Sequence, residues 1–147
     1  MTRYRSTKIE VEALGAFVKL LRAAESVSAT VHRHLDENGL SVSQFGVLEA
    51  LFHLGPLCHK EIGEKILKSA SNITLVIRNL EKRGLVVRRQ NKDDRRYSTI
   101  ALTDSGAALI ENIFPAHSAG IVEQMSRLDR SELKTLSHLC RKLGKLE

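Results

Sequence analysis

The chain has 147 residues, 42% hydrophobic and 27% charged, which is enough apolar content for one folded domain and too much for a disordered chain. Its net charge of +6 is concentrated: nine basic residues face three acids between Lys68 and Arg96, and that local excess equals the excess of the whole chain. No run approaches the ~20 apolar residues that cross a bilayer, the two cysteines are too far apart for a CxxC or a disulfide framework, and 4% aromatics without tryptophan argue against stacking on single-stranded bases. These features lead us to expect a cytoplasmic protein with no membrane segment, cofactor or metal, whose partner is double-stranded DNA.

From Ile9 to Leu35, apolar residues such as Val11, Leu14, Val18, Leu21 and Val31 recur every three or four positions, as in one long amphipathic helix. At ~1.5 Å per residue this helix runs about 40 Å, too long for so small a domain to cover, so part of its apolar face is expected to meet a second subunit. Glu37-Asn38-Gly39 breaks it, and Ser41 opens a second helix whose face is Phe45, Val47, Leu48, Leu51 and Phe52. Gly55-Pro56 stops that helix, and a short third one is expected from His59 to Leu67.

A fourth helix fits Ala70 to Arg83, with Ser69 or a neighbouring serine as N-cap and Gly84 at its C-terminal turn. Ile73, Val76, Ile77 and Leu80 form its inner face, while Ser71, Asn72, Thr74, Leu75, Arg78 and Lys82 face outward. Leu85-Val86-Val87 and Ser98 to Leu102 read as two strands, the second alternating Ser98, Ile100 and Leu102 against Tyr97, Thr99 and Ala101. The turn between them is expected at Gln90 to Asp94. Thr103 caps a fifth helix, with Asp104 in its first turn and a bend expected at Pro115. Asp129-Arg130-Ser131-Glu132 has capping-box spacing ahead of Leu133, Leu136, Cys140 and Leu143. A short helix, a second amphipathic helix and a basic hairpin make the wiring of a winged helix-turn-helix, so the expected fold is mainly α with a small β-wing. About 38–104 forms the DNA-binding lobe, and about 8–36 with 105–147 forms N- and C-terminal dimerisation helices.

In that arrangement the fourth helix enters the major groove, where asparagine pairs with adenine, arginine with guanine, and serine or threonine with either. Ser71, Asn72, Thr74 and Arg78 are the candidate base-reading residues; each alone reads equally well as ordinary polar surface. In the hairpin, an aspartate that takes both arms of an arginine fixes where a wing presents its guanidinium to a narrow minor groove. Asp94, Arg95 and Arg96 are the wing candidates, with Asp94 as orienter and Arg96 as reader. Lys82, Arg88, Arg89 and Lys92 are expected to contact phosphates, which gives affinity without sequence information.

Cys58 is expected at the start of the third helix, where a helix N-terminus can activate a thiol, so it is a candidate redox or electrophile sensor beside the simpler role of a packed cap. Cys140 lies in an apolar stripe. His53, Cys58 and His59 could converge on a metal but lack a fourth ligand, and His32 and His34, two apart on a helix, cannot share one. No GxSxG, P-loop, HExxH or GxGxxG is present, so no enzyme is expected.

The order of GPL turn, KEIGEKIL, SNITLVIRNLEKRGLVVRR and DDRRYSTIALTDSG resembles the MarR family of winged helix regulators. Asp94, Arg96, Leu102, Thr103 and Gly106 fall on the positions of the family's wing signature. The resemblance implies a homodimer with intertwined terminal helices whose two wings straddle a near-palindromic operator. It also implies repression, or less often activation, by occupying a promoter, and release when a small aromatic compound or an oxidant alters the spacing of the two lobes. FHLGPLCHKEIGEKIL and IENIFPAH look like the branch containing quinone- and phenol-responsive repressors; the effector itself is unknown. The family's peroxide sensors carry their cysteine early in the first helix, where this chain has none. Two other readings fit the basic patch: a winged-helix module that binds an acidic protein, and an architectural DNA binder without sequence preference.

Overall fold

The computed structural model describes residues 7–66 and 70–144, the side chains of residues 70 and 71 excepted. Its elements follow in the order α1 (Lys8–Glu37), α2 (Val42–Leu54), β1 (Leu57–Cys58), α3 (His59–Ile66), α4 (Ala70–Lys82), β2 (Val86–Gln90), β3 (Ser98–Leu102), α5 (Asp104–Met125) and α6 (Arg130–Gly144). They divide into two compact units, residues 34–118 and residues 7–33 with 119–144. The expected N-cap at Ser69 and the end of the third helix at Leu67 lie outside the described residues.

The 34–118 unit is organised by its apolar helix faces. Phe45 and Leu48 of α2, Ile62 of α3, Ile73, Ile77 and Leu80 of α4, Ile100 of β3 and Ile110 of α5 are sealed from solvent in one core. Each such side chain contributes ~1.5–3 kcal/mol relative to exposure, far more than helix propensity supplies. The caps set the ends. The Ser41 side chain accepts the Gln44 N–H at 3.1 Å, and the Gln44 side chain accepts the Ser41 N–H at 3.0 Å, a complete capping box for α2. At the far end of α4, Gly84 takes φ 70°, which lets the Leu85 N–H turn back to the Leu80 carbonyl at 3.0 Å.

The three strands form an antiparallel sheet in the order β1-β3-β2. β2 pairs with β3 from Val86↔Leu102 to Gln90↔Ser98, and β1 adds Leu57↔Ile100 and Cys58↔Thr99 on the other edge of β3. Several expectations change here. β2 begins one residue later than Leu85 and continues through Arg88, Arg89 and Gln90, because pairing with β3 carries the ladder into the charged residues. The tip therefore spans 91–97 rather than beginning at Gln90. Alternation fails on β3, where Ile100 and Ala101 are both buried because this strand lies in the middle of the sheet. Cys58 directly precedes α3, at the helix start expected of it, and is also the second residue of β1, a strand of two residues that is too short to leave a periodic signal. α5 is one helix with Pro115, the expected bend, inside it, and Ile110 and Ile113 of its first half belong to the 34–118 core.

In the other unit, α6 starts on a capping box: Asp129 Oδ1 accepts the N–H groups of Ser131 and Glu132, and Glu132 accepts the Asp129 N–H at 2.9 Å. Leu136, Leu139 and Leu143 of α6 line one apolar groove with Ala16, Phe17 and Leu20 of α1, about 600 Å³ in volume. The surface around it is apolar as well: Ile9 is 78% exposed, Phe17 55% and Leu143 68%. No helix among the described residues is long and apolar enough to cross a membrane.

Candidate nucleic-acid interface

α4 divides as its sequence requires. Ile73, Ile77 and Leu80 are buried, while Asn72, Thr74, Leu75, Arg78 and Lys82 are exposed along the outer side. The side chain of Ser71, the remaining base-reading candidate, lies outside the described ones. A side chain of α3 reaches across to this outer side: the His59 Nε2 lies 2.9 Å from the Thr74 hydroxyl.

Arg88 of β2 donates to the Glu81 carboxylate of α4 at 3.1 Å and so pins the hairpin to the helix. Arg83 is also engaged, donating to the Gly39 carbonyl at 2.7 Å. Thr103 secures the other strand end. Its N–H donates to the Leu85 carbonyl at 3.1 Å, its hydroxyl donates to the Gly84 carbonyl at 2.5 Å, and it accepts the Gly106 N–H at 3.1 Å as the cap of α5. A side chain at Gly106 would collide with the Leu85 carbonyl oxygen. The Leu102-Thr103-x-x-Gly106 pattern thus has a local cause: only a glycine lets α5 start against the turn that joins α4 to the wing.

The wing tip is ordered by its own hydrogen bonds. The Asp93 N–H donates to the Asn91 side chain at 2.9 Å, the Tyr97 N–H to the Asp94 carbonyl at 3.1 Å, and the Asn91 N–H to the Tyr97 carbonyl at 2.9 Å. Asp94 holds Arg96 at three points. Its Oδ1 accepts the Arg96 backbone N–H and Nε–H, each at 3.0 Å, and its Oδ2 accepts Nη2–H at 2.9 Å. The two side-chain bonds first, and then the backbone N–H, hold the Asp94 carboxyl below its ordinary value, and the same contact raises Arg96. Of the five guanidinium N–H groups the lock uses two, so three remain to donate elsewhere. Arg89, Lys92 and Arg95 are exposed on the same hairpin.

Cys58 serves as the cap of α3. Its N–H donates to Glu61 Oε2 at 2.7 Å, and that bond, then the thiol's, then Lys65, holds the Glu61 carboxyl below its usual value. The Cys-x-x-Glu spacing was the available signal for this cap. His53 packs edge-on against Phe52 and Phe114, with ring centroids 5.1 and 4.9 Å apart, while His59 bonds Thr74, so the two do not join Cys58 in a metal site. Among the described residues, no three His, Cys, Asp or Glu side chains could together hold a metal ion.

A second feature was not anticipated from sequence. His34, Phe45, Phe114 and His117 form a ring cluster beside Phe52 and His53, with the His117 ring 4.3 Å from Phe45 and 5.4 Å from His34. His117 is 4% exposed, and the buried Nε2 of His34 has no hydrogen-bond partner among the described residues.

Comparison with known proteins points the same way. The sequence profile of the MarR family matches residues 40–97. The HTH-type transcriptional regulator MhqR of Bacillus subtilis is 34% identical over 133 residues, covering 90% of this chain and 92% of its own. Two solved structures share the fold. Escherichia coli MarR, as a mutant complexed with operator DNA, gives a TM-score of 0.78 at 21% identity over 95% of this chain and 99% of its own. Bordetella bronchiseptica BpsR, whose DNA binding is regulated by 6-hydroxynicotinic acid, gives 0.77 at 24% identity over 90% and 98%.

Proposed function

The chain belongs to the MarR family of winged helix-turn-helix, DNA-binding transcriptional regulators, and we propose that it is a cytoplasmic homodimeric repressor of a near-palindromic operator. The observation that carries this reading is a basic hairpin whose tip arginine is locked by Asp94 and whose strand is pinned by Arg88 to Glu81 of α4. Such a unit presents a helix and a wing to one duplex at a fixed separation. Asn72, Thr74 and Arg78, with Ser71, read base edges in the major groove. Arg96, oriented by Asp94, enters the minor groove beside Arg95, and Lys82, Arg89 and Lys92 contact phosphates. Arg88 gives one N–H to Glu81 and is half exposed, so its other N–H groups can meet a phosphate as well.

The dimer rests on the apolar surface of α1 and α6. Ile9, Leu14, Phe17, Leu21, Leu139 and Leu143 are each more than half exposed, a patch that a second copy of the same surface would cover. Release is proposed to follow binding of a small aromatic effector at the ring cluster, where imidazoles and phenyl rings offer stacking and the His34 Nε2 offers a polar anchor. BpsR, regulated by a hydroxylated aromatic acid, gives a precedent for the ligand class. The quinone- and phenol-responsive branch is the proposed setting, and oxidant or electrophile chemistry at Cys58 the alternative trigger.

Fluorescence anisotropy on a duplex from the chain's own upstream region and on a scrambled duplex, across a salt series, tests the reading. The expected result is a preference of ~10³ or more with two protomers per site. Equal, purely salt-driven binding would favour an architectural role, and no binding at low salt would favour a protein partner.

A further inference from the structure

Against the outer side of α4 stands an ionisable side chain that the DNA-binding reading does not use. His59 comes from α3, yet its Nε2 meets the hydroxyl of Thr74 on the outer side of α4 at 2.9 Å. Thr74 and Arg78 are one helical turn apart and so lie on the same side of α4. His59 therefore stands at the edge of the surface that faces a duplex, held there by a residue of that surface.

The charged groups on the neighbouring elements have other partners or stand apart from the ring. On α3 the adjoining Lys60 pairs with Glu64 at 3.9 Å, and Glu61 turns back to Cys58; Lys65 lies near Glu61. On α4 the charged neighbour one turn from Thr74 is Arg78, and β1 contributes Cys58. α2 carries Glu49 and His53, of which His53 packs in the ring cluster, and β3 has no ionisable side chain. No carboxylate hydrogen-bonds the His59 ring among the described contacts. No ion pair of His59 forms among the described residues, so a cation there is open to an anion that approaches the outer side of α4, and the backbone of DNA supplies one.

We propose that His59 is a proton-dependent phosphate contact at the edge of the DNA-facing side of α4, positioned by Thr74. This rests on the DNA-binding reading above and adds to it a specific dependence on pH. The neutral imidazole contributes its bond to Thr74 alone. Protonated, it adds one cation to the interface, and the duplex releases one more condensed counterion for each protomer bound. The duplex stabilises the protonated form in turn, so binding and proton uptake reinforce each other.

The test is the salt dependence of binding to a fluorescein-labelled duplex of mixed sequence at about pH 8 and about pH 6, values that bracket the histidine range. The mixed-sequence probe makes the measurement independent of any operator. For the wild-type chain, the slope of log K against log salt should steepen at the lower pH by up to ~0.9 per protomer. His59→Gln keeps a hydrogen-bonding group for Thr74 but carries no charge, and it should lose that increment. The two proteins differ only at residue 59, so the difference between them isolates His59. His59→Lys should show the steeper slope at both pH values. If circular dichroism shows that His59→Gln is unfolded, Thr74→Val takes its place and should shrink the increment by releasing the ring. A pH-dependent increment of the same size in wild type and His59→Gln would overturn the proposal, as would a wild-type slope that does not change with pH. Wild-type binding at neither pH in low salt would instead overturn the DNA-binding reading itself.

Discussion

Replacing Gly106 by alanine should destabilise the chain although alanine is the better helix former. Gly106 lies in the first turn of α5, and a Cβ there would overlap the Leu85 carbonyl oxygen and press on its carbon at 2.9 Å and on the Leu102 side chain at 3.3 Å. The obstructing atom is backbone. Leu85 is itself tied to the Leu80 carbonyl at 3.0 Å, and its own carbonyl receives the Thr103 N–H, so it has little freedom to give way. Intrinsic propensity favours alanine by ~1 kcal/mol. Overpacking against a fixed neighbour costs ~1–3 kcal/mol, and withdrawing α5 also weakens the two Thr103 bonds to Leu85 and Gly84, at ~1 kcal/mol each. The net expectation is a loss of about 2–4 kcal/mol, or roughly 6–15 °C in Tm for a chain of this size. Thermal and urea melts followed by circular dichroism measure it. Gly120→Ala is the control, since a Cβ there meets nothing within 4 Å and should leave Tm unchanged or raised. A Gly106→Ala chain melting at or above the wild-type temperature would refute the seating of α5 on the helix-to-wing turn.

Three further outcomes are expected. Arg96→Ala should weaken operator binding about ten- to a hundredfold in the anisotropy assay; wild-type affinity would dissociate the wing from recognition. Because the Asp94 carboxyl lies below its ordinary value when folded, the lock should be intact above the usual carboxylate range and open only as pH falls through the lowered value. The Arg96 Nε–H resonance in an NMR titration follows this directly, and loss at or above the ordinary aspartate value of ~3.9 would contradict it. Leu139→Asp places a charge in the apolar groove of α1 and α6 and should yield monomers in sedimentation equilibrium; an unchanged dimer would place the subunit contact elsewhere.

The helices were legible because each joins an apolar face to a readable end. Ser41 before α2, Asp129 with Glu132, and Gly84 after α4 are sequence-local devices, and they hold here as hydrogen bonds or as a positive φ. Residues whose partners lie far along the chain were not legible. Nothing in Leu57-Cys58 announces pairing with Ile100 and Thr99, and nothing near His59 points to Thr74. The ring cluster gathers His34, Phe45 and His117 from three helices, so no spacing within one helix could show it. The Asp94–Arg96 lock lies between these cases, because two residues apart on a tight turn is close enough for the pairing to be expected from order alone.

The same distinction changes what the basic patch is worth. Counted along the sequence, the segment from Lys68 to Arg96 offers nine cations to a duplex. Folded, three of them already have work within the chain: Arg83 holds the Gly39 carbonyl, Arg88 holds Glu81 and Arg96 holds Asp94. Lys68 lies outside the described residues, which leaves Arg78, Lys82, Arg89, Lys92 and Arg95 exposed with no ion pair among the described ones. Each phosphate neutralised contributes ~0.9 to the salt slope, so Lys82, Arg89 and Lys92 alone give about −3 per protomer, Arg78 and Arg95 bring it to about −4 to −5 if they meet phosphates beside their groove contacts, and all nine would give about −8. The three engaged arginines carry structure in return: they brace the helix to the loop before α2, the strand to the helix, and the wing tip to itself. At about pH 8, a slope near −8 per protomer would mean that Arg88 and Arg96 exchange their carboxylates for phosphates when DNA binds, and that this bracing is given up in the complex. A slope near −3 to −5 would mean that Arg88 and Arg96 keep their carboxylate partners in the complex, so that the free chain already holds its binding geometry.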